Sequence, residues 1–234
     1  MTSNSSNKIG HVAIIMDGNS RWARQRNLKT IEGHKQGVNR LRDIVKYSAK
    51  SEITHLSVFA FSTENWKRSA SEVSDLMKLF LQSIIKEVPE LIENKVQLNF
   101  IGDIPRFSKS LVSQINSAMK DTEVRKPNLN LNVAISYGGR WDILNAIKRL
   151  KEHKINVHNI NEDDFSNLLS TSNFPDPDLL IRTGNEVRIS NFFLWQISYS
   201  ELYFSKLLWP DFKISNFKSA LKKFSTRDRR YGKE

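Results

Sequence analysis

The sequence predicts a single α/β domain: a six-stranded, mostly parallel sheet flanked by helices, with an elongated hydrophobic tunnel. Three observations carry this. Short apolar segments alternate with longer helix-periodic ones along the whole chain, and such alternation lays parallel strands side by side with helices over both faces. The clearest strand candidate, His11-Val-Ala-Ile-Ile-Met16, is a continuous apolar run of the kind buried on both sides. The chain has 234 residues, 39% hydrophobic and 26% charged, with no repeat, low-complexity tract or linker, which suits one large globular unit. Residues 1–8 are polar and read as a flexible N-terminus, and residues 9–232 as the folded domain.

In order, the strands fall at Val12–Met16, Leu56–Phe61, Val96–Ile101, Leu129–Ile135, Asp178–Ile181 and Glu201–Phe204. A helix over His34–Lys50 places Val38, Leu41, Ile44, Val45 and Ala49 on one stripe, and Gly33 with Gly37 keeps its first turn bare. The segment after Glu72 is unusual. Val73, Leu76, Met77, Phe80, Leu81, Ile84, Ile85, Val88, Leu91 and Ile92 keep a three-and-four spacing for about five turns. That stripe is either ordinary core or one wall of a cavity for a long apolar ligand. Further helices are expected over Ser108–Lys120, Arg140–Lys151, Glu162–Leu169 and Phe217–Arg229, with Asp163-Asp164 marking a helix start.

The absence of cysteine excludes disulfides and thiolate metal sites and fits a reducing cytosol. The first residues lack the apolar region of a signal peptide, and no stretch approaches the roughly 18 apolar residues of a membrane span. A net charge of +11 calls for an anionic partner: nucleic acid, an acidic membrane surface or phosphorylated small molecules. Lysines are scattered as on a solvated surface. Arginines recur beside Gly, Ser and Asn in loops, as in Asn19-Ser20-Arg21, Gly139-Arg140 and Arg182-Thr183-Gly184, which favours discrete phosphate clamps over a continuous nucleic-acid face.

Four clusters lie at strand ends. Asp17-Gly18-Asn19-Ser20-Arg21-Trp22 follows the first strand, where a carboxylate can hold a divalent cation; the bland alternative is an Asp-Gly turn with Asn19 as helix cap. Ser62-Thr63-Glu64-Asn65-Trp66-Lys67-Arg68 follows the second strand. Arg182 to Phe192 follows the fifth, with Arg182, Arg188 and Ser190 suited to gripping phosphate oxygens. The fourth, Tyr199-Ser200-Glu201-Leu202-Tyr203, brings a carboxylate to the last strand. Each alone is also readable as a capped, charged loop, and His34 alone as a helix-capping histidine.

Together these residues resemble the cis-prenyltransferase family, in its bacterial undecaprenyl diphosphate synthase branch. The resemblance runs from Ile9 to Gly232. It is carried by His11-Val-Ala-Ile-Ile-Met-Asp-Gly-Asn-Ser-Arg-Trp-Ala23, Gly33-His34, Phe59-Ala-Phe-Ser-Thr-Glu-Asn-Trp66, Ile135-Ser-Tyr-Gly-Gly-Arg140, Leu180-Ile-Arg-Thr-Gly184, Arg188-Ile-Ser-Asn-Phe192 and Glu201-Leu-Tyr-Phe204. It implies condensation of isopentenyl diphosphate with an allylic diphosphate such as farnesyl diphosphate, giving a medium-chain polyprenyl diphosphate that feeds the lipid carrier for peptidoglycan and other wall polymers. It further implies Mg2+ on Asp17, with Glu201 as a second residue near the metal. Gly18, Asn19, Ser20, Arg21, Trp22, Thr30 and His34 would surround the allylic diphosphate. Ser62, Thr63, Glu64, Asn65, Trp66 and Arg68 would position substrate, with Asn65 an orienting group, since an amide is a poor base. Arg182, Arg188, Ile189 and Ser190 would clamp isopentenyl diphosphate. A cytoplasmic homodimer is implied, touching the inner membrane face through its product. The aromatic run Asn191–Tyr199 is expected to supply apolar interface surface, and the basic tail Arg229-Arg230-Tyr231-Gly232 either reaches an active site or frays.

The chain departs from the family pattern in three places. Ser20 stands where glycine is usual. Thr30 replaces the usual arginine four residues before the histidine, with Lys29 adjacent as a point charge. Asn185 stands where glycine is common. Non-catalytic partner subunits of this fold lose the metal aspartate, which this chain keeps. The paired Asp-Asp-x-x-Asp motifs of trans-prenyl synthases are missing, and no basic tract interleaved with aromatics marks a nucleic-acid partner.

Overall fold

The computed structural model describes residues 8–226 except 154 and 156. The terminal segment 229–232 therefore lies outside the described residues. In chain order the elements are β1 (His11–Ile15), α1 (Asn19–Arg24), α2 (Thr30–Ser48), β2 (His55–Ser62), a 3₁₀ turn (Thr63–Lys67), α3 (Ala70–Glu93), β3 (Val96–Ile101), α4 (Lys109–Asp121), β4 (Leu129–Tyr137), α5 (Gly139–Glu152), α6 (Glu162–Ser166), β5 (Leu179–Arg182), β6 (Glu201–Phe204) and α7 (Ile214–Ser225).

The strands make one sheet in the order β3-β4-β2-β1-β5-β6, and all five pairings are parallel. The expected six-stranded sheet flanked by helices is present, and it is fully parallel. After β1 the chain builds outward on one side through β2, β4 and β3, then returns to the other side of β1 with β5. The strand order therefore reverses between β1 and β5, and a crevice opens there at the carboxyl ends of the strands.

Every residue of β1 is buried, as its unbroken apolar run requires. One face of the sheet packs Val12, Ile14, Leu56, Val58, Leu98 and Val133 against α2, α3, α4 and α7. The other face carries Ala13, Ile15, Ala134 and Leu180 beneath Tyr137, Phe192 and Phe193. α1 lies directly on α2, because Gly33 has no side chain: a Cβ there would meet the Asn19 carbonyl oxygen at 2.0 Å. α3 begins at Ser69, whose hydroxyl accepts from the Glu72 amide, and α4 begins at Ser108 in the same way with Leu111. The start at Asp163-Asp164 is a capping box, Asn161 and Asp164 each accepting the other's amide.

Beneath the second face runs a buried polar row. Asn99 Nδ2 donates to Asn132 Oδ1 at 3.0 Å, and Asn132 Nδ2 to Ser57 Oγ at 3.1 Å. The Ser57 hydroxyl lies 2.7 Å from His11 Nε2, and His11 Nδ1 lies 2.6 Å from the Pro175 carbonyl. A carbonyl only accepts, so Nδ1 carries the proton and Nε2 accepts from Ser57. Burial above all holds His11 down to about 4, consistent with the neutral ring. Asp178, just before β5, ties that strand to β1 by accepting the Gly10 and His11 amides at 2.8 and 3.0 Å.

Three expectations change. The aromatic run after Asn191 is not free apolar surface, because Phe192 and Phe193 are fully buried in their own chain and Tyr199 is its exposed member. The helices expected at 162–169 and 217–229 are Glu162–Ser166 and Ile214–Ser225. Glu201 is the first residue of β6 and pairs with Leu179, whereas Arg182 pairs with Phe204 at the other end of the same strands.

Candidate active site

Asp17 follows β1 and Arg182 ends β5, so the crevice brings together residues 165 apart in the chain. Asp17 Oδ2 accepts from Arg182 Nη2 at 2.9 Å, and its Oδ1 lies 3.0 Å from Arg21 Nη2. Arg182 is 5% exposed in its side chain. Its Nη1 donates to the Arg188 carbonyl at 2.5 Å and to Ser190 Oγ at 2.6 Å, while its buried Nε has no partner among the described residues. Arg21 continues to Glu186 at 3.7 Å, and Glu186 takes Arg188 Nη1 at 2.5 Å. Three guanidiniums thus surround two carboxylates, a positive excess lining a cleft. Gly184, at φ +90°, closes this corner; a Cβ there would meet Arg21 Nη2 at 2.6 Å. Asn185 takes φ +59°, a left-handed conformation that asparagine tolerates, so its replacement of glycine leaves the turn intact.

The loop after β2 forms the neighbouring wall. Asn65 Oδ1 accepts the Ser62 amide at 2.9 Å within a reciprocal capping box, which fixes the turn. Trp66 Nε1 donates to Ser136 Oγ at 2.9 Å, with Arg106 over its ring at 4.6 Å. Thr63 opens this turn, and Glu64 accepts from Asn191 Nδ2 at 2.9 Å, tying the turn to the loop that carries Ile189 and Ser190. Arg68 pairs with Glu72 at 2.7 Å. His34, one turn after Thr30 in α2, lies 3.4 Å from Ser20 Oγ. Burial first, then the Arg68 charge, push His34 down to about 4, so its imidazole is neutral at neutral pH.

Most of the expected site residues therefore meet along one edge of the sheet. Asn19 does not cap α1: Gly18 holds that position, and the buried Asn19 Oδ1 has no partner among the described residues. Trp22 turns to the outer shell, donating to Asp211 at 2.8 Å with Arg26 stacked 4.2 Å over its ring. Glu201 does not join: the register sets it about 10 Å along the strands from Arg182 toward the opposite edge, so it does not share an ion with Asp17 of its own chain. Arg182 has most of its fork engaged within the protein, whereas Arg188 is 63% exposed. Glu186 was not singled out by the sequence, although its place between two arginines was a signal. Ser136, at φ +47°, left none.

Beside this edge an apolar cavity of about 190 Å³ opens between the sheet, α2 and α3. Met16, Asn19, His34 and Ala60 border its end nearest Asp17, and Leu91 and Val96 its far end.

A reversal-point crevice with a cationic cradle beside an apolar cavity defines a class of protein suited to amphiphilic phosphates. The chain belongs to the family described as "Putative undecaprenyl diphosphate synthase", which matches residues 15–232. It is 47% identical over 226 residues to a ditrans,polycis-undecaprenyl-diphosphate synthase ((2E,6E)-farnesyl-diphosphate specific) of Haemophilus influenzae, covering 95% of this chain and 94% of that one. It is 47% identical over 223 residues to an isoprenyl transferase of Neisseria gonorrhoeae, covering 95% and 89%. Among solved structures, lavandulyl diphosphate synthase from Lavandula x intermedia in complex with dimethylallyl diphosphate superposes with a TM-score of 0.92 at 35% identity, covering 97% of this chain and 99% of that one. A probable undecaprenyl diphosphate synthase from Campylobacter jejuni gives 0.82 at 35% identity, covering 97% and 100%.

Proposed function

We propose that the chain is a cis-prenyltransferase that extends an allylic diphosphate, farnesyl diphosphate by preference, with isopentenyl diphosphate to a product of about undecaprenyl length. The observation that carries this is the continuity of the Asp17–Arg21–Arg182–Arg188 cradle with the apolar cavity, which suits a ligand with an anionic head and a hydrocarbon tail.

Magnesium fits this cradle. The Asp17 carboxylate, 29% exposed at the crevice, is a hard oxygen donor of the kind Mg2+ takes; it would hold the ion through oxygens that now accept from Arg182 and Arg21, with phosphate oxygens and water completing the shell. When bound, the ion would neutralise charge on the departing diphosphate.

The chain's own groups supply the rest. Arg188 and the Ser190 hydroxyl hold one diphosphate, Arg21 holds the other, and Arg68 positions substrate from the loop after β2. Arg182 positions Asp17 and Ser190 from behind. In each cycle the allylic C–O bond breaks with its electron pair leaving on diphosphate. The homoallylic double bond attacks that carbon, and a proton is lost to form the new cis alkene. Asn65, its Oδ1 already accepting an amide, orients substrate and is no base; water or diphosphate takes the proton. Neutral His34 adds a donor without repelling Arg68. The cavity takes the growing tail out of water at about 0.8 kcal/mol per CH₂.

The same reading includes a homodimer, supported by exposed Leu144 and Ile147 on α5, and a cytoplasmic protein that meets the membrane through its lipid product, supported by the lack of cysteine. Among the described residues no helix is long and apolar enough to cross a membrane. The deciding experiment incubates purified protein with Mg2+, farnesyl diphosphate and labelled isopentenyl diphosphate and sizes the products, with and without a chelator. Absence of any polyprenyl product, or full activity in chelator, would overturn the assignment.

A further inference from the structure

The cavity poses a problem of size. An engineered apolar cavity of about 150 Å³ accepts a benzene ring, so about 190 Å³ holds a fragment only slightly larger. A medium-length prenyl chain needs several times that space, and one wall must give as the chain grows. The sheet is tied by five parallel pairings, and α2 is locked against α1 through Gly33 and Gly37. α3 is the loose wall. Of its 24 residues only Ile84 and Leu91 are buried, and Pro89 inside it removes the hydrogen bond that the Ile85 carbonyl would otherwise accept.

The seam between α2 and α3 is closed by charge. Arg42 of α2 forks onto Glu87 of α3, Nε to Oε2 at 2.6 Å and Nη2 to Oε1. One turn on, Lys46 Nζ pairs with Glu90 Oε1 at 2.5 Å, and Arg42 lies 3.9 Å from the same carboxylate. Arg42 and Glu87 border both the cavity and an outer groove between the helices, so this pair is the partition between tail and solvent. Both carboxylates flank Pro89. We infer that Arg42–Glu87 and Lys46–Glu90 form a latch that sets product length. Closed, it holds α3 over the cavity; as the tail lengthens, α3 swings outward about Pro89 and the pairs part. Arg42 and Glu87 are only 25% and 19% exposed in their side chains, so parting them costs more than parting a surface pair, and that cost opposes the outward swing of α3 as the chain lengthens. This rests on the reading of the cavity as the product channel.

The test uses the full chain, which has no native cysteine to interfere. The product ladder from farnesyl diphosphate is compared for wild type, for Glu87→Gln with Glu90→Gln, and for Arg42→Cys with Glu87→Cys before and after a short bis-maleimide. The glutamine variant should lengthen or broaden the ladder by at least one isoprene unit, and cross-linking should stop it at least one unit short of the untreated protein. Wild-type ladders in both, or a loss of even the first condensation on cross-linking, would overturn the latch. Independently of turnover, amide hydrogen exchange over Ile84–Glu93 should quicken in the glutamine variant, and unchanged exchange would also overturn it. Failure of wild type to make any polyprenyl product would instead sink the assigned reaction, with hydrogen exchange still deciding the latch.

Discussion

Arg182 and Arg188 look alike in the sequence, yet the structure predicts that replacing each with lysine has different consequences. Arg182 is almost fully buried, and its guanidinium binds Asp17, Ser190 and the Arg188 carbonyl at once. A lysine keeps one of these contacts. Losing two charge-assisted bonds at about 1.5–3 kcal/mol each, with Asp17 still paired to Arg21, costs Arg182→Lys about 3–6 kcal/mol. For a chain of this size that is a fall in Tm of about 6–24 °C. Arg188 is largely exposed and, among the described residues, its side chain pairs with Glu186 alone, so Arg188→Lys should change stability by less than about 0.5 kcal/mol. Its loss is bidentate geometry toward a diphosphate, a rise of about tenfold in KM for isopentenyl diphosphate with little change for the allylic substrate. Arg182→Lys should disturb both substrates, because it displaces Asp17 as well as Ser190. Thermal unfolding and initial rates with each substrate varied in turn separate the cases. Equal losses of Tm, or equal KM changes for both substrates with Arg188→Lys, would refute the division between a buried organiser and an exposed clamp.

Asp17→Ala should lower turnover by about 100-fold or more while far-ultraviolet circular dichroism is unchanged; near-normal activity would exclude its role in holding an ion. His11 and His34, each at about 4 in the fold against an ordinary 6.5, bind protons more readily once unfolded. Their stabilisation is complete above about pH 6.5 and declines as pH falls toward 4, each by up to about 3 kcal/mol. Denaturant midpoints that stay flat between pH 7 and 5 would contradict this, and His11→Gln should flatten the slope. Ala60→Leu, at the site end of the cavity, should shorten the product, and an unchanged ladder would remove Ala60 from length control.

The strands were legible because a doubly buried parallel strand must be apolar throughout, as β1 is. Element ends were less so. α2 starts four residues before its expected start, since Lys29 and Thr30 carry no cap and the apolar stripe begins only at Val38. The Asp17 cluster was visible in the sequence as a carboxylate and arginine at a strand end, but its pairing with Arg182 depends on strand order, which local spacing does not encode. Glu201 shows the limit most plainly. In a parallel sheet the residue that opens a strand and the residue that closes it stand at opposite edges, so a carboxylate at the start of β6 was placed with loops that follow strands. Asn65 looked like chemistry and is also architecture, its oxygen closing the turn that presents Trp66.

The row from Asn99 through Asn132 and Ser57 to His11 bears on how the sheet finds its alignment. Strands of uniform apolar character slide past one another with little penalty, because each shifted pairing still hides oily side chains. A line of amides and a hydroxyl crossing four strands allows only one alignment in which every donor meets an acceptor, and a slip of one residue turns the polar groups onto the wrong face. Asp178 extends the constraint to β5. Such a slip would also displace Arg182 along the strand by about 3.3 Å relative to Asp17. The cradle at one end of the sheet thus inherits its accuracy from a row of side chains that never approaches a substrate.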